Sequence, residues 1–242
     1  MPDLLHVKYI GTDAYSLGSV LGVLLRHVGL PGSIDDRIKQ LWCDINDAYV
    51  VLHTPSSHRL PAFSLNKFHS GQSKLPYLKA RGCEVKALSR ALIIVFGKYM
   101  DAGNVQHQDV MSLLETSVGI DDILANNKGV YKFPAADAVE FRKLCWKYDQ
   151  LVTKLIKYYH PLEINLFHFT IKFHYLLHIG ICAGWINPEL ASCDSGEDLM
   201  KVVKRLIAAS AAGTGPAKAA NKALKKYVHA LSFDLSRGSA NL

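Results

Sequence analysis

Cysteine is scarce and badly placed for cross-linking. Cys43, Cys83, Cys145, Cys182 and Cys193 are odd in number, widely spaced and never in a C-x-x-C pair, which argues against a disulfide framework and against a structural zinc site. The thiols read as buried and reduced, and the protein therefore as intracellular. No charged leader with an apolar run and a small-residue cleavage site opens the chain, and no uncharged stretch reaches the roughly 18 apolar residues that cross a bilayer. The expectation is a protein neither secreted nor membrane-spanning. G-x-x-x-x-G-K-[ST], G-x-S-x-G and G-x-G-x-x-G are all absent, which removes support for P-loop hydrolysis, α/β-hydrolase chemistry and a Rossmann cofactor. Proline is rare at 9 of 242 residues and charged residues make up only 20%, so disorder is excluded as a global description.

What is present is an apolar, mildly basic chain: 49% hydrophobic, with a formal net charge of +7 and a pI near 9.1. A surplus of this size favours an anionic partner without reaching the density of a histone-like tail. Helical periodicity dominates. Leu17, Val20, Leu21, Leu24, Leu25 and Val28 recur at helical spacing over residues 15–28 and stop at Gly29-Leu30-Pro31-Gly32. Ser33 then reads as the N-cap of a helix running to about Leu52, with Ile34, Ile38, Leu41, Trp42, Ile45 and Tyr49 on its apolar side. Residues 54–78 break the pattern with prolines, serines and a glycine, and read as loop with one helical turn at most.

Periodicity returns over Cys83–Met100, Asn104–Ser117, Asp121–Asn126 and Pro134–Tyr159, with Pro134 suited to a first helical position. Leu166–Ala183 is nearly all apolar, aromatic or histidine, and its length favours a helix. Ser195–Ala212 and a basic helix from Ala217 to about Leu231 complete eight or nine helices. The one stretch that fits a short strand is Asp3–Ile10. The expected fold is mainly α, one multi-helix domain over residues 1–242, divided into N-terminal helices (1–53), an irregular loop (54–80), a helical middle (81–194) and an acidic-start helix with a basic helix (195–242).

Four constellations bear on chemistry. Asp3 and His6 place a carboxylate and an imidazole three residues apart, within reach of a shared helical face or a metal, although a surface acid near a frayed terminus reads the same way. Asp194, Glu197 and Asp198 cluster where a helix begins, and first-turn acids are also what the helix dipole favours. His174 and His178, at i and i+4, have the spacing of metal-binding histidines, but no H-E-x-x-H acid follows and no third ligand stands out. With His168 they read better as satisfied interior histidines. From Asp198 onward, Lys201, Lys204, Arg205, Lys218, Lys222, Lys225, Lys226 and Arg237 face only Asp198 and Asp234, so this region holds six of the seven net charges. Such a helix can neutralise phosphates, and the same composition makes an ordinary solvated face.

Asp3-Leu4-Leu5-His6, then Lys172-Phe173-His174-Tyr175-Leu176-Leu177-His178, then Gly196-Glu197-Asp198-Leu199-Met200, stand in an order that resembles the C-terminal half of CACTA-like DDE transposases, as in transposon-derived dinoflagellate reading frames. The resemblance implies that Asp3 is a catalytic, metal-binding carboxylate, His6 its motif partner and Glu197 the last acidic ligand. A competent enzyme would cleave and join DNA strands with Mg²⁺ or Mn²⁺ held at Asp3 and Glu197. It implies a short N-terminal strand left from an RNase H-like sheet and a nuclear location. The first catalytic Asp of the family precedes this motif and has no counterpart here, so the expectation is a transposase-derived fragment, catalytically incomplete alone, that binds DNA through Lys201, Lys204, Arg205, Lys218, Lys222, Lys225 and Lys226. The alternative is a non-enzymatic helical scaffold or subunit working through protein contacts, with Trp42, Trp146, Trp185 and nine phenylalanines serving packing and docking.

Overall fold

A computed structural model describes residues 2–68 and 75–193 and, of the remainder, residues 204, 205, 207–210, 215, 218–222 and 224–228. The chain divides into two compact units, Met1–Ser192 and Cys193–Leu242. Among the described residues there is no β-strand, and no helix is long and apolar enough to cross a membrane.

Among its described residues the first unit holds a π-helical segment, Leu5–Asp13, and seven α-helices: α1 (Ala14–Arg26), α2 (Ile34–Val51), α3 (Leu65–Phe68), α4 (Gly82–Tyr99), α5 (Val105–Asn126), α6 (Ala135–Tyr159) and α7 (Ile171–Cys182). Helix α1 is the central element. Val20, Leu21, Val23 and Leu24 are completely buried, and its polar positions are small enough to let neighbours close in. At Gly18 a Cβ would stand 2.9 Å from the backbone nitrogen of Tyr77 and 3.1 Å from the carbonyl carbon of Pro76, so the irregular 75–80 segment runs directly across the helix. The Leu78 amide completes that contact by donating to the Ala14 carbonyl at 2.9 Å. Around α1, helix α2 packs on α4, α4 on α5, α5 on α6 and α6 on α7, and the π-helical segment is enclosed by α1, α4 and α7.

Local capping matches the sequence. Ser33 and Asp36 form a capping box at the start of α2, and the Asn104 side chain accepts from the Gln106 and His107 amides at the start of α5. Pro134 occupies the cap of α6 itself, one position before the first helical residue.

Four expectations are corrected. Asp3–Ile10 is not a strand: Leu5, Val7, Lys8 and Tyr9 are all buried, and the widened π turn turns consecutive residues inward where a strand would send alternate ones outward. Asn104–Ser117 and Asp121–Asn126 are one helix, because Val118, Ile120 and Leu124 pack into the core and Leu144 of α6 closes on Gly119. That burial outweighs the roughly 1 kcal/mol a mid-helix glycine costs. Residues 166–170 do not extend α7: Phe167 adopts φ 53° and its amide donates to the Ser19 hydroxyl at 2.9 Å, so the chain docks on α1 before the helix begins. Of the five cysteines only Cys145 is buried, while Cys43 is exposed.

In the second unit, residues 204–205, 207–210, 218–222 and 224–228 are helical.

Candidate functional site

Asp3 and His6 meet as the sequence suggested. Asp3 Oδ1 accepts from the Leu5 amide at 3.3 Å and Oδ2 from the His6 amide at 3.1 Å, while Oδ2 also pairs with His6 Nδ1. Asp3 is three-quarters covered and His6 half exposed. The carboxylate thus caps the first helical turn, where the amide dipoles favour a negative charge. Four residues beyond His6 the chain meets α7 and the 75–80 segment: Lys172 Nζ donates to the Ile10 carbonyl at 3.2 Å, and the Tyr77 hydroxyl donates to the same oxygen at 3.2 Å. That carbonyl needs outside donors because the segment is broken one residue on. Gly11 takes φ −116° and ψ −108°, and a Cβ there would lie 2.6 Å from the His6 carbonyl oxygen.

Beneath this surface pair lies a cluster that sequence reasoning missed. Lys8 is fully buried, and its Nζ lies 2.7 Å from Asp13 Oδ2, 2.9 Å from Asp121 Oδ1 and 3.1 Å from Ser117 Oγ. Ser117 and the Tyr148 hydroxyl both donate to Asp13 Oδ1, at 2.9 and 3.0 Å. The Tyr9 hydroxyl donates to Asp121 Oδ1 at 3.0 Å, while Asp121 Oδ2 is buried without a hydrogen-bond partner. Two acids therefore surround one cation. Burial pushes the Asp13 carboxyl above its usual range, against the pull of Lys8, which moves the cluster toward neutrality. For Lys8 burial acts downward, but Asp121 and Asp13 together outweigh it and hold the ammonium above its ordinary value. Sealed from solvent, the cluster cannot handle a substrate. What it does is pin the π-helical segment to α5 and α6, and with it the direction in which Asp3 and His6 are presented.

The signals for this cluster were faint. Lys8 sits in an apolar run where a lysine reads as an edge residue, and Asp121 resembles a helix-starting acid because Gly119 suggests a break just before it. Only the apolar neighbours Leu4, Leu5, Val7 and Tyr9 hinted that position 8 is interior.

His174 and His178 are exposed, not interior. The buried stripe of α7 is Phe173, Leu176, Ile179 and Gly180, which turns positions 174 and 178 outward, and their Nε2 atoms stand 2.9 Å apart. His168 lies before the helix, half-buried with its ring edge-on to Tyr15 at 4.5 Å. Its Nδ1 is buried with no hydrogen-bond partner, so this histidine is not fully satisfied, and burial lowers its pKa.

Glu197, Asp194, Asp198, Lys201 and Arg237 lie outside the described residues. Lys204, Arg205, Lys218, Lys222, Lys225 and Lys226 are described and all exposed. The tryptophans divide: Trp42 stacks on Phe63 at 6.1 Å, whereas Trp146 and Trp185 are 46% and 69% exposed. Comparison of the chain with family models, curated proteins and solved structures finds no match.

Proposed function

We propose that the chain is a transposase-derived helical module that associates with DNA without forming a complete cleavage centre of its own. The observation that carries this reading is the second unit's surface. Six cationic side chains are exposed there, at Lys204, Arg205, Lys218, Lys222, Lys225 and Lys226, and no acidic residue is found among that unit's described residues. Flexible lysines on helical turns neutralise phosphates without reading bases, so the expected binding is electrostatic and tolerant of sequence.

Two further points support it. The π-helical segment that continues from Asp3-Leu4-Leu5-His6 packs on α7, which carries the K-F-H-Y-L-L-H block, and Lys172 donates to the Ile10 carbonyl there. Asp3, for its part, is a poor stand-alone ligand for Mg²⁺ or Mn²⁺: its oxygens already accept two backbone amides and pair with His6, and a two-metal centre needs several converging carboxylates. Asp3 with these partners therefore does not make a two-metal Mg²⁺ or Mn²⁺ centre by itself.

The test is duplex binding followed by fluorescence anisotropy across a salt series. The full chain should bind a short duplex at low salt with a log–log slope of about −0.9 for each phosphate neutralised. Replacing Lys222, Lys225 and Lys226 together by alanine should flatten that slope by about 2–3. Absence of binding at low salt, or an unchanged slope in the triple variant, overturns the proposal.

A second reading has its own observation. Trp146, Trp185, Phe169 and Ile171 are all large, apolar and between 46% and 69% exposed, a composition that suits a protein partner. Under this reading the chain is a helical subunit, and the duplex experiment returns nothing.

A further inference from the structure

Beside α4 lies a cavity that neither the core packing of the first unit nor the cationic surface of the second explains. Cys83, Lys86, Ala87 and Arg90 recur at helical spacing on α4 and form its partly buried floor, and the stretch that leaves α2 at Leu52 and His53 and runs through Pro55 to His58 forms the wall. The space between them is about 490 Å³, within the range that small-molecule sites occupy. It stays open because Cys83 and Ala87 are too small to fill it, while the longer Lys86 and Arg90 flank them. The wall is tied in place: Arg59 Nε donates to the Thr54 carbonyl at 2.9 Å, the Arg81 guanidinium donates to the Ser57 carbonyl at 2.8 Å, and the Thr54 amide donates to the Tyr49 carbonyl at 2.9 Å. A site held open in this way costs little ordering when it is occupied.

Four of the lining side chains are basic, His53, His58, Lys86 and Arg90, and none is acidic. Lys86 has no carboxylate partner among the described residues, and its Nζ stands 5.7 Å from the centre of the Tyr9 ring. Arg90 gives one end of its guanidinium to Asp122 of α5, which leaves its other N–H groups for a further acceptor. Glu84, the acid of the first turn of α4, is buried and held by Arg81. We infer that this cavity binds a phosphomonoester of mononucleotide size, its phosphate held by Lys86, Arg90 and the two imidazoles, its body laid on Leu52, Pro55 and Ala87. A phosphate dianion offers three terminal oxygens to donors arriving from several directions, which suits four basic groups better than the two oxygens of a carboxylate do. Inorganic phosphate alone fills only a small part of about 490 Å³, and the apolar residues of the lining have no use for it. The site lies within the first unit and does not rest on the DNA reading.

The experiment is calorimetric titration of the untagged full chain with adenosine monophosphate. One equivalent should bind with micromolar affinity, inorganic phosphate should displace it at higher concentration, and adenosine should not. Lys86→Ala removes a charge-assisted donor and should weaken binding about tenfold or more. Ala87→Leu keeps every charge and fills the floor, and should abolish binding. Circular dichroism checks that each variant stays helical. The variant with Lys222, Lys225 and Lys226 replaced by alanine should bind as the wild type does, which separates this site from duplex association. Absence of binding below millimolar nucleotide, displacement by adenosine, wild-type affinity in Lys86→Ala and Ala87→Leu, or loss in the triple-lysine variant would each overturn the site.

Discussion

Replacing Lys8 by methionine keeps the length and most of the volume of the side chain and deletes one buried charge. Its ammonium is completely enclosed and faces Asp13 at 2.7 Å and Asp121 at 2.9 Å, so the substitution leaves two buried acids without a cation between them. Breaking a buried pair in this way costs about 3–5 kcal/mol, set against a total of about 5–15 kcal/mol for a domain. With a urea slope of about 2–3 kcal/mol per molar, the midpoint should fall by about 1–2 M at pH 7. The pH dependence carries its own sign. The folded Asp13 carboxyl sits above its ordinary value of 3.8, so as pH falls toward that value the folded state takes up a proton that the unfolded state does not yet bind. This favours the fold, and favours it more in the variant, where no cation opposes protonation. The gap between wild type and K8M should therefore narrow between pH 7 and pH 5. At the alkaline end, Lys8 is held above 10.5, so its contribution is complete below that pH and fades as pH rises through its folded value. Combining Lys8→Met with Asp13→Asn and Asp121→Asn removes the stranded charges and should recover at least half of the loss. Urea melts followed by circular dichroism decide the matter. A midpoint change under about 0.3 M, or a gap that widens on acidification, would refute a buried ionic cluster at this position.

Two smaller perturbations test the packing and the caps. Gly18→Ala forces a Cβ to 2.9 Å from the Tyr77 nitrogen, and because backbone cannot step aside as a flexible side chain does, the expected cost is about 1–3 kcal/mol, read as a lower thermal midpoint. Asn104→Ala removes the acceptor of the Gln106 and His107 amides and should cost about 1 kcal/mol, with exchange protection lost first in the opening turn of α5.

The helices were legible wherever one apolar stripe and a recognised cap coincided. Ser33 marks the start of α2 correctly because its partner Asp36 stands three residues on, and Gly29 and Gly32, at φ 71° and 87°, mark the turn before it. Failures came where tertiary packing overrode local preference. Gly119 reads as a break until Leu144 is seen against it. Phe167 reads as helix until the Ser19 hydroxyl captures its amide from 148 residues away. At the site, the Asp3–His6 pairing was visible because it is local. Lys8, Asp13, Ser117, Asp121 and Tyr148 were not, since no periodicity links residues over a hundred positions apart. The histidines of α7 were misread because their apolar neighbours in sequence are not their neighbours in space.

The reach of that core network also bears on how the chain is made. Tyr148 follows Asp13 by 135 residues, a stretch that a ribosome needs roughly 7–27 s to synthesise at ~5–20 residues per second. Through most of that interval Lys8 has Asp13 beside it but neither Asp121 nor the Ser117 and Tyr148 hydroxyls that complete the cluster.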